Sequence, residues 1–199
     1  DAGVKDILII SGKGHAGHFL EYLESGKKYD ARFHYAIQEE AGGIAQAIQI
    51  AKDFCDDEYF IVVLGDNIID QNISKQIESF ENNQAEASIF LKEVSNPRSY
   101  GVAEIKDNKL VNIVEKPQDP KSNLAVIGMY MFGPQVFEVA RNLKPSARGE
   151  LEITDVNNHF LNQGTLSYEI IDGWWGDAGE SFKSLMEVSN YMMNKDTEK

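Results

Sequence analysis

Four apolar, β-rich runs recur in the first 94 residues, and three stretches with apolar residues at helical spacing separate them. The runs are DILIIS (6–11), ARFHYAIQ (31–38), EYFIVVLG (58–65) and EASIFLKEV (86–94). Between them lie HFLEYLESG (18–26), closed by Gly26, then GIAQAIQIAKDFC (43–55) and ISKQIESFE (73–81). Helices of this size between strands favour parallel βαβ units, because each crossover lays its apolar stripe on a sheet face. The rhythm therefore predicts an α/β fold, a three-layer α/β/α sandwich with a mixed, mostly parallel sheet.

Beyond residue 95 the texture changes. YGVAEIKDNKLVNIVEK holds two short alternating strands about a DNK turn, a hairpin signature. AVIGMYMFG (125–133) reads as a further strand. Pro134 then opens the helix QVFEVARNL, at a position where its missing N–H costs nothing. A helix near 152–162, the strand LSYEII, a turn containing GWWGDAG and a closing helix from about Ser181 complete the chain. No linker, repeat or low-complexity segment interrupts it, so residues 1–199 read as one domain.

The 199 residues carry 32 acidic and 19 basic side chains, a formal charge of -13. With no basic tract longer than a Lys-Lys pair, binding to nucleic acid or to an anionic membrane is not expected. No stretch is long enough to span a bilayer. The single cysteine, Cys55, forms no internal disulfide and suits a reducing, cytoplasmic compartment. The chain opens on DAGV without Met, which suggests that its front is missing.

Two places compete for function. In SGKGHAGHF, Gly12, Gly14 and Gly17 have the G-x-G-x-x-G spacing after a strand and before a helix, and Glu39 and Glu40 follow at the end of the next strand. That pattern is the dinucleotide-binding fingerprint, which would make the chain a nicotinamide-dependent oxidoreductase. The alternative is a turn that uses its glycines to change direction. The second place is distributed: Asp66 in LGDN follows a buried strand, and Asp177 in WWGDAG sits among glycines far downstream. Ligands of open α/β sheets bind outside the carboxyl ends of strands, and Mg2+ is commonly held by one or two carboxylates plus phosphate oxygens. Either aspartate alone also fits a helix cap or turn. Lys116 in VEKP and Arg148 in KPSARGELEITD are cations at element ends in an acidic chain, suited to phosphate as a point charge and a fork, or to a solvated surface.

The motifs AGGIAQAI, VLGDN, YGVAEI, VEKPQDPKSNLAVIGMYMF, LKPSARGELEITDVNN and GWWGDAGE occur in this order over nearly the whole chain. Together they resemble the sugar-1-phosphate nucleotidyltransferases, and within them the shorter glucose-1-phosphate thymidylyltransferases. The resemblance implies a Rossmann-like nucleotide-diphospho-sugar transferase fold. The implied reaction joins dTTP and glucose 1-phosphate into dTDP-glucose with release of pyrophosphate. It places Mg2+ on Asp66 and Asp177, the thymine edge on Gln38 and a backbone contact to the base on Gly43. Tyr100, Gly101, Glu115 and Val126 contact the sugar by the same resemblance, and Lys116 and Arg148 hold its phosphate. It also implies a homo-oligomer, and it assigns no phosphate loop to SGKGHAG. Such enzymes open with a strand and a glycine-rich GGxGTRLxPxT loop, which this sequence lacks. The expectation is thus a single nucleotidyltransferase domain over 1–199, incomplete at its N-terminus and inactive as written. A non-catalytic sugar-nucleotide-binding protein or subunit is the alternative.

Overall fold

The structure is a computed structural model that describes residues 3–83 and 85–197. In chain order the elements are β1 (Asp6–Gly12), α1 (Ala16–Leu23), β2 (Arg32–Gln38), α2 (Ile44–Ile50), α3 (Lys52–Cys55), β3 (Phe60–Val63), β4 (Asn67–Asp70) and α4 (Ser74–Asn82). Then come β5 (Ala87–Glu93), β6 (Gly101–Lys106), β7 (Lys109–Glu115), β8 (Leu124–Phe132), α5 (Gln135–Asn142), α6 (Ile153–Gln163), β9 (Leu166–Ile170), β10 (Trp174–Asp177) and α7 (Phe182–Thr197).

The long apolar strand β8 is the axis of the main sheet. β5 pairs with one side of it, and β3 and β6 share the other, each antiparallel to it. β9 lies parallel beside β5, and β7 closes the hairpin with β6. Hence β3, β5, β6 and β9 all run one way and the sheet is mixed as expected, but β8 at its centre makes most ladders antiparallel rather than parallel. β1 and β2 form a separate parallel pair, and β4 and β10 a short antiparallel ribbon.

Alternation along β8 divides the core in two. Val126, Tyr130 and Phe132 face the larger cluster, where α2, α5 and α6 contribute Ile48, Phe137, Val156 and Phe160, and Leu8 and Ile10 of β1 pack against it. Ile127, Met129 and Met131 face the other cluster, covered by Phe80 and Ile77 of α4 and by Ile69 and Trp175 of the ribbon. Helices thus lie on both faces of one sheet, the three layers expected. Burial pushes the Cys55 thiol up to about 11, so it remains a protonated packing group.

Two local expectations change. GWWGDAG is not only a turn: Trp174–Asp177 pair with Asn67–Asp70, a ribbon of four-residue strands too short to show a period. The first helix ends at Leu23 and buries none of its residues, while Gly26 takes its left-handed φ of 82° in the 3-10 turn that follows. At the hairpin, Asp107 and Asn108 both adopt positive φ, which short polar side chains tolerate best.

Candidate active site

The β4–β10 ribbon brings the two distant aspartates together. Asp177 pairs in register with Asn67, and the Ala178 amide donates to the Asp66 carbonyl at 2.8 Å. Gly179 lies between the carboxylates: a Cβ there would stand 2.2 Å from Asp66 Oδ2 and 3.3 Å from Asp177 Oδ1. The Gly179 amide also donates to Asp177 Oδ1 at 2.8 Å. Burial first, and then the neighbouring charge of Asp66, push the Asp177 carboxyl above its usual range. Two oxygen ligands converging on a space kept open by glycine, with like charges to neutralise, fit a hard divalent cation. No cluster of three or more His, Cys, Asp or Glu suited to a metal occurs among the described residues. The pair would therefore need further oxygens from a bound ligand or water, as Mg2+ sites commonly do.

Beside the aspartates is a cavity of ≈ 120 Å³ whose lining includes Tyr100, Gly101, Glu115, Val126, Thr154 and Trp175. Strand register builds it: Gly101 sits opposite Glu115 on β7 and opposite Val126 on β8. A Cβ on Gly101 would meet Thr154 Oγ1 at 3.3 Å and Glu115 Oε2 at 3.4 Å, so glycine keeps the floor open. Thr154 donates to Glu115 Oε2 at 2.6 Å and orients that carboxylate. Tyr100 stands edge-on to Trp175 with ring centroids 5.5 Å apart, and its hydroxyl donates to Glu180 at 2.8 Å. Burial, followed by that hydrogen bond, raises its pKa, so the phenol stays protonated. Tyr100, Trp175 and Asp177 also wall a larger cleft of ≈ 420 Å³.

The two cations are close neighbours of this cavity, in different states. Arg148 donates from Nε to Glu152 Oε1 at 3.1 Å and from Nη2 to Glu152 Oε2 at 2.7 Å, and Nη2 also reaches Glu115 at 3.4 Å. It is therefore not the isolated arginine that its loop suggested. The Glu152 hydrogen bonds raise its pKa, and two of its three nitrogens are spoken for. Lys116 is exposed and makes no ion pair among the described residues. Its backbone holds φ at 41°, next to Pro117, where helical and left-handed conformations are disfavoured. A bond from its amide to the Tyr100 carbonyl at 3.0 Å retains that strained turn. Strain of this kind gathers where a side chain must point in one direction.

Gln38 ends β2. Its Nε2 donates to the Gly43 carbonyl at 3.0 Å and to Gln46 Oε1 at 2.7 Å, which takes up both amide hydrogens and fixes the orientation of the side chain. Gly43 has φ of 89° and a Cβ position 2.5 Å from the Leu151 carbonyl, so no other residue fits. The Leu151 amide bonds back to Gly42 at 2.9 Å, which ties this corner to the Arg148 loop.

The glycines of SGKGHAG have no such steric constraint, although Gly14 also holds a left-handed φ of 87°. Cβ atoms on Gly14 and Gly17 would meet nothing within 4 Å, and one on Gly12 would meet only the His15 ring at 3.9 Å. The third glycine of a dinucleotide fingerprint serves close helix–strand packing, and here there is none. The segment is a turn into α1, with Lys13 paired to Glu39 at 3.1 Å.

Four residues at the site were not read from the sequence: Asn67, Thr154, Trp175 and Glu152. Only the last had a visible signal, its i,i+4 spacing from Arg148.

Comparison with known proteins agrees on the family. Residues 1–195 match the family described as Nucleotidyl transferase. A low-salt glycan biosynthesis nucleotidyltransferase from Haloferax volcanii is 37% identical over 195 residues, covering 97% of this chain and 54% of that protein. A glucose-1-phosphate thymidylyltransferase from Mycolicibacterium smegmatis is 40% identical over 195 residues, 96% of this chain and 67% of that protein. The chain thus spans between half and two thirds of the length of these relatives. A crystal structure from Bacillus anthracis, described as a glucose-1-phosphate thymidylyltransferase in complex with sucrose, superposes with a TM-score of 0.88 at 44% identity. It covers 94% of this chain and 75% of the other. UDP-glucose pyrophosphorylase complexed with UDP-glucose shares the fold, with a TM-score of 0.84 at 24% identity over 98% of this chain and 82% of that one.

Proposed function

The chain belongs to the nucleotidyl transferase family, and on that premise we propose that it serves transfer of a nucleotidyl group from dTTP to glucose 1-phosphate, giving dTDP-glucose and pyrophosphate. The observation that carries this reading is the convergence of Asp66 and Asp177 across Gly179, at the edge of the cavity formed by Tyr100, Gly101, Glu115 and Val126. A cation site beside a small polar cavity suits a nucleotide phosphate meeting a sugar phosphate.

In this reading Glu115, oriented by Thr154, accepts a sugar hydroxyl, and Gly101 and the Val126 backbone let the ring approach. Lys116 and the free Nη1 edge of Arg148 hold the sugar phosphate. Gln38 offers its carbonyl oxygen to the N3–H of the pyrimidine, and Gly43 contacts the base through its backbone. A phosphate oxygen of glucose 1-phosphate then attacks the α-phosphorus in line. The new O–P bond forms as the bond to the β-phosphate breaks, and pyrophosphate leaves with the electron pair. The attacking oxygen is already ionised, so no general base is needed, and catalysis is positioning plus electrostatics. Mg2+ held by Asp66 and Asp177 would neutralise charge on the phosphoryl oxygens.

Initial rates of pyrophosphate release from the full-length protein, with dTTP and with UTP at matched concentrations, test the base assignment. The reading expects a higher kcat/KM for dTTP, lowered by Gln38→Ala. Equal or better use of UTP would refute it.

A further inference from the structure

We propose, resting on the reading above, that Asn67 is a positioning residue whose side-chain amide fixes the Asp66 carboxylate for the cation and ties it to Trp175, the aromatic wall of the sugar cavity. Asn67 is 8% exposed, yet every polar atom of its side chain is used. Oδ1 accepts from the Gly128 amide at 3.0 Å and from Trp175 Nε1 at 2.8 Å, and Nδ2 donates to Asp66 Oδ1 at 2.8 Å. Both partners of Oδ1 can only donate, so the amide orientation is forced and Nδ2 must face Asp66. Packing holds it there, since a Cβ on Gly128 would lie 2.7 Å from Nδ2.

Asp66 itself is exposed and lies between two strands of four residues. Rotation about its χ angles is opposed, among the described residues, by this bond on Oδ1, and Oδ2 lies against Gly179 beside Asp177. Trp175 shares the same amide and stands edge-on to Tyr100. A sugar pressing on Trp175 therefore acts on the group that aims Asp66, so cation and sugar occupancy are coupled through Asn67.

Titration of the full-length protein with Mn2+ alone, followed by the electron paramagnetic resonance signal of the free ion, tests this. Asn67→Ala should weaken Mn2+ binding roughly 10- to 100-fold, the usual effect of removing a group that orients a metal ligand. In an Asp66→Asn background the same change should weaken it no further, because Asn67 acts through Asp66. Asn67→Ser, which keeps a hydroxyl for the Gly128 amide or the Trp175 indole N–H but stops short of Asp66, should behave like Asn67→Ala and covers failure of the alanine variant to fold. Folded variants that bind Mn2+ like the unsubstituted protein, or losses that add to those of Asp66→Asn, would overturn the positioning role. An unsubstituted protein that does not bind Mn2+ would instead overturn the metal reading itself, and this proposal with it.

Discussion

Gly179→Ala should silence the site while leaving the fold in place. The backbone at Gly179 lies outside the left-handed region, so alanine brings no dihedral strain. Its Cβ, however, would stand 2.2 Å from Asp66 Oδ2. That carboxylate must retreat by about 1 Å or more to reach ordinary contact distance. Asp66 is exposed and has room to turn. The structural cost is then an off-rotamer side chain, about 0.5–1.5 kcal/mol, plus the Asn67 hydrogen bond, about 1 kcal/mol. For a chain of this size that lowers Tm by no more than about 10 °C. The functional cost is larger, because a displacement near 1 Å in a positioned catalytic group can reduce turnover about 100-fold. Thermal unfolding by circular dichroism and pyrophosphate release on the full-length protein measure the two effects separately. A folded Gly179→Ala variant whose kcat stays within about threefold of the unsubstituted protein would refute the convergence of Asp66 and Asp177 as the reacting centre.

Three further outcomes follow from named contacts. Arg148→Lys keeps the charge but loses the planar fork, so it should raise KM for glucose 1-phosphate by about tenfold or more while KM for nucleotide moves little; the opposite pattern in initial-rate kinetics would reassign Arg148. Gly43→Ala combines a positive φ of 89° with a Cβ 2.5 Å from the Leu151 carbonyl, and urea unfolding should register a loss of about 2–5 kcal/mol. The Glu152 carboxyl is held below its ordinary value, first by the Arg148 hydrogen bond, so its stabilising contribution is present at neutral pH and lost as pH falls below the ordinary glutamate value of 4.5. Because Glu152→Gln removes that contribution, its Tm should lie below that of the unsubstituted protein at pH 7, with the gap closing in acid; a gap independent of pH would show that the ion pair adds nothing.

What was legible in the sequence has a physical pattern. Long strands and helices with strong periodicity, such as Ala87–Glu93, Leu124–Phe132 and Ile153–Gln163, fall within a residue or two of expectation. The four-residue strands Asn67–Asp70 and Trp174–Asp177 did not stand out, since a ribbon that short has no period and its glycines read as turn. That ribbon is what joins Asp66 to Asp177, so the sequence named both carboxylates without showing how they meet. Asn67 was hidden for a related reason: an asparagine after an aspartate and a glycine looks like turn chemistry, and only burial shows that its amide is fully engaged. Arg148 misled in the other direction, because an arginine in a loop looks free until the carboxylates of Glu115, Glu150 and Glu152 are placed around it. The glycine spacing at Gly12, Gly14 and Gly17 was the most suggestive motif by pattern and the least constrained in space.

The central claim is that a sugar-phosphate oxygen, rather than water, displaces pyrophosphate at a centre built on Asp66 and Asp177. Phosphorus-31 NMR of the full-length protein with dTTP, glucose 1-phosphate and Mg2+ tests it most directly. The account predicts two mutually coupled diphosphate signals of a nucleotide sugar growing together with pyrophosphate, and neither in the Asp66→Asn, Asp177→Asn variant. Formation of nucleoside monophosphate in place of the coupled pair, or unchanged product formation in that variant, would contradict it.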